Sequence, residues 1–188
     1  MDATTIVLIV VAAVILLIAI WLISFYNRMV KTREQIENSW GQINVQLKMR
    51  ADLIPNLVET VSGYAAHESK TLEQITDART RYLSAKTPAD AMNASGELTG
   101  LVSRLFAVAE QYPDLKANQN FLQLQSELTD LEKKIATYRQ FYNDVVLRFN
   151  RLIITFPNNI AASLFHAQQM PYFEVTEEEK AVPKVSFQ

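Results

Sequence analysis

The residues from Ile6 to Tyr26 form one apolar run that contains no charged residue, no proline and no glycine. At about 1.5 Å per helical residue, the run spans roughly 31 Å, close to the thickness of the hydrocarbon core of a bilayer. Trp21, Phe25 and Tyr26 near its end suit the aromatic belt at a membrane interface. The sequence therefore predicts one transmembrane helix over residues 6–26.

A signal peptide and a buried helix of a soluble domain are the other interpretations of this run. A signal peptide begins with basic residues and ends at small ones, whereas this chain begins Met-Asp-Ala-Thr-Thr and the run ends in bulky side chains. A buried helix is rarely so uniformly apolar. The chain has no cysteine, so we expect neither an acyl anchor on cysteine nor a disulfide. We expect a retained membrane anchor.

The charges that flank the run predict its orientation. Arg28, Lys31 and Arg33 follow it, whereas only the α-amine precedes it, opposed by Asp2. The positive-inside rule therefore places the following domain in the cytoplasm and residues 1–5 on the other side of the membrane.

Apolar residues continue beyond the anchor at alternating spacings of four and three, which is typical of a helix that packs along a seam. Pro55 lies inside this seam, so we expect the helix to bend or restart near Asp52–Leu53. No helix breaker separates the anchor from this seam, and the pattern therefore predicts one long helix that runs out of the membrane. The seam comprises Ile36, Trp40, Ile43, Leu47, Arg50, Ile54, Leu57, Val61 and Tyr64.

Three further helices are predicted. The second covers residues 68–85. Thr87 is the expected N-cap of the third, with Pro88 at its first position and Asp90 completing a capping-box-like pair, and this helix ends at Tyr112–Pro113. Its expected core face is Ala91, Ala94, Leu98, Leu101, Leu105 and Val108.

The fourth helix, residues 118–154, has an unbroken three-and-four spacing and is stopped by Pro157. Its stripe is Phe121, Leu124, Leu128, Leu131, Ile135, Tyr138, Tyr142, Val145, Phe149 and Leu152. Asn158 and Asn159 are expected to cap a short amphipathic segment, residues 160–166.

These elements predict an all-α fold. Residues 27–166 are expected to form an elongated antiparallel, up-down bundle of about four helices, preceded by the transmembrane helix, which is continuous or nearly so with the first bundle helix. Residues 167–188 are expected to form an extended tail. Its possible docking residues are Tyr172, Phe173, Val175, Val185 and Phe187.

The segment from Trp40 to Val58, Trp-Gly-Gln-Ile-Asn-Val-Gln-Leu-Lys-Met-Arg-Ala-Asp-Leu-Ile-Pro-Asn-Leu-Val, resembles the signature of the LemA family of bacterial membrane proteins. The resemblance continues in order through Gly63–Glu68, Ala107–Asn118, Asn120-Phe121, Tyr142-Asn143, Phe149-Asn150 and Phe156–Asn159, and covers residues 26–165. It implies one N-terminal helix in the inner (cytoplasmic) membrane of a bacterium, a short outside N-terminus and a long helical bundle. It implies no reaction, and nothing is carried from it onto the tail.

Arg50 and Asp52 are the candidate residues for a structural polar network or an interface. An arginine at a seam position must pair or reach water, because an unpaired buried charge is strongly destabilising. The carboxylate partner could be Asp52 nearby or one on the acidic face of the fourth helix. The alternative role for Arg50 is contact with a partner protein.

No catalytic or cofactor motif accompanies these residues, and we expect a protein that is not an enzyme and holds no cofactor. His67 and His166 are the only histidines and are far apart, so we expect no metal site. The net charge is −2 and no basic patch with interleaved aromatic residues is present, so we expect no nucleic-acid partner. No small-molecule substrate is evident.

Two functions remain open. The first is a membrane-anchored scaffold that forms homo-oligomers within the bilayer plane. The second is a monomeric membrane-linked adaptor for a protein partner in signalling or proteolysis.

Overall fold

The computed structural model describes residues 2–173. Within this range the chain forms six α-helices and one short 3-10 helix, and no strand. The predicted all-α class is therefore confirmed. Val175, Val185 and Phe187, expected as docking residues of the tail, lie outside the described residues.

Helix α1 runs from Ala3 to Ser62. It joins the apolar run to the seam without interruption, so the predicted continuity of the two is confirmed. Of the bend or restart expected near Asp52–Leu53, the restart does not occur, because α1 continues through Pro55. A proline inside a helix leaves the carbonyl four residues earlier without its usual donor. Here that carbonyl, on Ala51, accepts a hydrogen bond from a side chain of another helix.

A 3-10 helix, Ala66–Glu68, leads into α2, Ser69–Ser84, which packs against α3, Pro88–Ala109. The predicted start of α3 is confirmed: the Thr87 side chain accepts a hydrogen bond of 3.1 Å from the Asp90 N–H. The end of α3 differs from the prediction, since a separate short helix α4, Pro113–Lys116, occupies the region of the expected stop. Proline at the first position of α4 starts a new helical turn there.

Helix α5 runs from Gln119 to Ile154, one residue later than predicted, because the Asn118 side chain accepts from the Phe121 N–H at 3.0 Å and so occupies the cap position. Helix α6 runs from Asn158 to Leu164. The prediction that Asn158 and Asn159 cap it is wrong, since both lie inside the helix, which follows Pro157 and has no side-chain cap.

The chain divides into two compact units, and both long helices contribute to each. Unit 1 contains the described residues up to Ser39 together with Tyr142–Pro171, and unit 2 contains Trp40–Phe141 with Tyr172 and Phe173. The core of unit 2 consists of buried side chains from α1 to α5. They include Ile54, Leu57, Val61, Leu72, Ile75, Leu98, Val102, Leu105, Leu115, Phe121 and Leu128.

The core face differs from the predicted seams at a few positions. Tyr64 is 44% exposed because α1 ends two residues before it. In α3, Val102 and Ala109 are buried in place of the predicted Leu101 and Val108, which are half-buried. The long stripe of α5 is buried except at Leu124 and Tyr138, which are half-buried.

Residues 167–173 contain neither helix nor strand and are bound to α5. In unit 1, Asn150, which is 4% exposed, donates through Nδ2 to the Met170 carbonyl at 3.0 Å and accepts from the Met170 N–H at 2.8 Å. In unit 2, Phe173 is buried and the Arg139 guanidinium lies 4.6 Å from its ring centroid. Tyr172, expected to dock as well, is 42% exposed.

Candidate functional site

Arg50 is the most buried charged residue among the described residues of unit 2, with 1% of its surface exposed. Its Nη1 donates to Glu132 Oε1 at 2.5 Å and to Thr99 Oγ1 at 2.6 Å. Its Nη2 donates to the carbonyl and the hydroxyl of Ser95 at 2.9 and 2.7 Å. One guanidinium on α1 therefore connects α3 and α5 through four hydrogen bonds.

The two charged groups of the network differ in their exposure to solvent. The Glu132 side chain is 34% exposed, so water reaches the carboxylate while the guanidinium stays buried. The Nε of Arg50 and the Oε1 of Gln46, one turn earlier on α1, are buried and have no hydrogen-bond partner within residues 2–173. The two terminal nitrogens thus make all four hydrogen bonds of the guanidinium.

Asp52 does not join this network. Its side chain is exposed, and among the described residues no ion pair connects it to Arg50. It acts electrostatically on Tyr82, whose hydroxyl donates to Asn44 Oδ1 at 3.0 Å. Burial raises the pKa of the Tyr82 phenol, the positive charge of Arg50 lowers that pKa, and the negative charge of Asp52 raises it. The two candidate residues are therefore separated, one in the core and one on the surface.

The partners on α3 were not found from the sequence. Ser95 and Thr99 stand four residues apart beside the apolar face of their helix, and both accept from Arg50. The sequence feature that marks these two positions is a pair of small hydroxyl residues, four apart, beside an apolar stripe. Asn150, next to Phe149 of the apolar stripe of α5, is another buried polar residue that was not found from the sequence. It binds the backbone of the segment that follows α6.

Unit 1 contains an aromatic cluster where the apolar run of α1 ends. The ring of Phe25 lies 6.4 Å from those of Trp21 and Phe165, measured between centroids, and Tyr26 lies 5.0 Å from Phe165. Phe25 is only 4% exposed. The expectation that Phe25 belongs to a lipid-facing belt therefore does not hold for this residue, because Phe165, directly after α6, covers it.

In the same unit, Arg28 of α1 and Arg148 and Arg151 of α5 line a cleft of about 390 Å³. Among residues 2–173, no carboxylate lines this cleft. Guanidinium groups bind phosphate and carboxylate oxygens with paired hydrogen bonds, so this cleft is suited to an anionic group. Within residues 2–173 no group of three or more histidine, aspartate or glutamate side chains could hold a metal ion. His67 lies in the 3-10 helix and His166 follows α6.

A model of the LemA family matches residues 39–187. The chain belongs to the LemA family. The match confirms the resemblance seen in the sequence and extends it, since it includes the tail onto which nothing was carried. It begins at Ser39, after the apolar run.

Two relatives are similar to this LemA-family chain over most of its length. Protein LemA of Metamycoplasma hominis is 27% identical over 158 residues, which cover 82% of this chain and 71% of the relative. Magnetosome protein MamQ 2 of Paramagnetospirillum magneticum is 26% identical over 175 residues, which cover 79% of this chain and 64% of the relative. The chain thus spans less than two thirds of the length of the magnetosome protein.

Among the described residues, α1 is the one helix long and apolar enough to cross a membrane, and none of its most apolar stretch is buried within the protein. Family membership together with this helix fits a protein linked to a membrane.

Proposed function

We propose that this chain is a non-enzymatic scaffold anchored in the inner membrane of a bacterium, and that it self-associates there. One observation carries the proposal. The most apolar stretch of α1 is uncovered by protein, whereas the same helix continues without a break into the core of unit 2. A helix that is apolar on all sides and uncovered requires lipid around it. The anchor and the helical domain are therefore one continuous element.

The proposed orientation places residues 1–5 outside and the helical domain in the cytoplasm. Arg28, Lys31 and Arg33, which follow the span, support this orientation. The antiparallel packing of the helices belongs to the same proposal. It is supported by the short connections between α2 and α3 and between α4 and α5.

Self-association is supported by apolar side chains on unit 2 that lie outside the span and face solvent. Val45 and Met49, one turn apart on α1, are 50% and 51% exposed, and Phe141 on α5 is 60% exposed. Exposed apolar patches commonly mark protein contacts. Copies held in one membrane plane meet at a raised effective concentration, which favours burial of such patches between them.

The proposal is tested with the full-length chain in mild detergent, by light scattering across a concentration series, and by crosslinking in native membranes. Discrete multimers are expected. Phe141→Glu or Met49→Glu should shift the population toward monomer, because each places a charge at the proposed contact. Leu122→Glu is the matched control, because Leu122 is 47% exposed on the same helix as Phe141 but is not part of the proposed contact.

Monomers in both detergent and native membranes would exclude the scaffold and favour the adaptor, which works through a single protein partner. Multimers that Leu122→Glu disrupts as strongly as Phe141→Glu would show self-association through a different surface.

A further inference from the structure

The corner between α5 and α6 exposes an unusual number of large apolar side chains. Ile154 and Phe156 at the corner are 55% and 76% exposed, and Ile160 and Leu164 on α6 are 62% and 64% exposed. The residues that α6 buries against the protein are the small Ala161 and Ala162. Helix α6 therefore turns its larger apolar surface outward, the reverse of a helix that packs on a water-soluble core.

This apolar corner is continuous with the end of the membrane-spanning segment. Phe165, next to Leu164, contacts Phe25 and Tyr26, which are the last residues of the apolar run. Helix α6 is thus held beside the end of the apolar run of α1.

Positive charge lies on the same part of unit 1. The cleft lined by Arg28, Arg148 and Arg151 also includes Asn158, the first residue of α6. Guanidinium groups beside an apolar helix match the bilayer interface, where anionic headgroups lie directly above the acyl chains.

We propose that α6 and the α5–α6 corner form a second membrane-contact element. Ile154, Phe156, Ile160 and Leu164 insert among the acyl chains of the leaflet from which α1 leaves the membrane, and the arginine cleft binds the phosphates of anionic lipids. The occupant of this surface is an anionic bilayer. The inference rests on the proposed membrane anchoring and adds a second point of attachment, which fixes unit 1 against the membrane surface.

The test places one spin label at a time on the full-length chain in vesicles of phosphatidylcholine and phosphatidylglycerol. The chain contains no cysteine, so a single cysteine can be introduced at each position. Ile160→Cys and Leu164→Cys report on the proposed contact. Ile15→Cys, 62% exposed in the apolar run, is the reference for lipid, and Leu122→Cys on α5 is the reference for water. Collisions with oxygen and with a water-soluble nickel chelate measure depth.

At positions 160 and 164 we expect the lipid signature, with oxygen collisions favoured over nickel collisions as at position 15 and the opposite preference at position 122. In vesicles of phosphatidylcholine alone, or with Arg148→Gln and Arg151→Gln combined, the lipid signature at 160 and 164 should weaken while that at 15 is unchanged.

A water signature at 160 and 164 with lipid at 15 would overturn this inference and leave the anchor intact. A water signature at 15 would instead overturn the anchor. Spin–spin broadening at 160 or 164 that dilution with unlabelled chain removes would show that a second copy covers the surface, which also contradicts the proposal. No dependence on anionic lipid would overturn the role of the arginine cleft.

Discussion

The Nε of Arg79 on α2 donates a hydrogen bond of 2.7 Å to the carbonyl oxygen of Ala51 on α1. Ala51 lies four residues before Pro55, so its carbonyl is the one that Pro55, which has no N–H, cannot bond. Ala51 is fully buried, and an unsatisfied carbonyl there would be costly. Arg79 therefore compensates for the proline, and α1 continues to Ser62.

Arg79→Leu is expected to lower the free energy of unfolding by about 1–3 kcal/mol, because it leaves the Ala51 carbonyl without a donor. The measurement is chemical unfolding of the full-length chain in mild detergent, followed by circular dichroism. The matched background is Pro55→Ala, in which the new N–H at position 55 bonds the carbonyl. In the Pro55→Ala background, Arg79→Leu should lower the free energy of unfolding clearly less than it does in the unchanged chain. An equal cost in both backgrounds would show that Arg79 stabilises the protein through other contacts.

The two ends of the Arg50 network should respond unequally to substitution. Glu132→Ala leaves a buried guanidinium without its counter-charge and is expected to cost about 3 kcal/mol. Arg50→Met keeps most of the buried volume and leaves a carboxylate that reaches water, so about 1–2 kcal/mol is expected. Unfolding free energies of both variants and of the double variant check this order. A larger cost for Arg50→Met would mean that the Ser95 and Thr99 contacts dominate.

The elements of this fold could be predicted because their signals are local. The apolar spacing places α5 within one residue, and Thr87, Pro88 and Asp90 mark the start of α3. The effect of Pro55 could not be predicted locally, since the compensating side chain comes from α2.

For the same reason, only part of the candidate site could be predicted from the sequence. The position of Arg50 in the seam shows that it is buried and needs partners. The partners of the Arg50 guanidinium depend on how α3 and α5 are rotated about their axes. The spacing of residues along one helix does not contain that information. The shift of the buried face of α3 from Leu101 to Val102 is a rotation of this kind.

Burial raises the pKa of the Tyr142 phenol, whose hydroxyl donates to the Pro171 carbonyl at 3.1 Å. A phenol is charged when deprotonated, so above the ordinary pKa of 10.0 the folded state binds more protons than the unfolded state. The stability from Tyr142 is therefore complete below pH 10 and is lost as the pH rises further. Tyr142→Phe should lower stability at neutral pH and reduce the loss above pH 10. Unfolding measured across this range checks the sign, with Tyr172→Phe as the exposed control.

Gly41 lies within α1 on the same face as Val45 and Met49, at spacings of four residues. A β-carbon at this position would meet nothing within 4 Å, so the fold does not require glycine there. Gly41→Ala is expected to raise the free energy of unfolding by about 0.5–1 kcal/mol, because glycine is a poor helix former.

If copies meet on this face, the added methyl group of Gly41→Ala should at the same time reduce the multimer fraction seen by light scattering. Ser126→Ala, at an exposed position of α5, should raise stability slightly and leave the multimers unchanged. Unchanged assembly in Gly41→Ala would place the contact between copies away from this face of α1, while a loss of stability would show that the position is constrained within the fold.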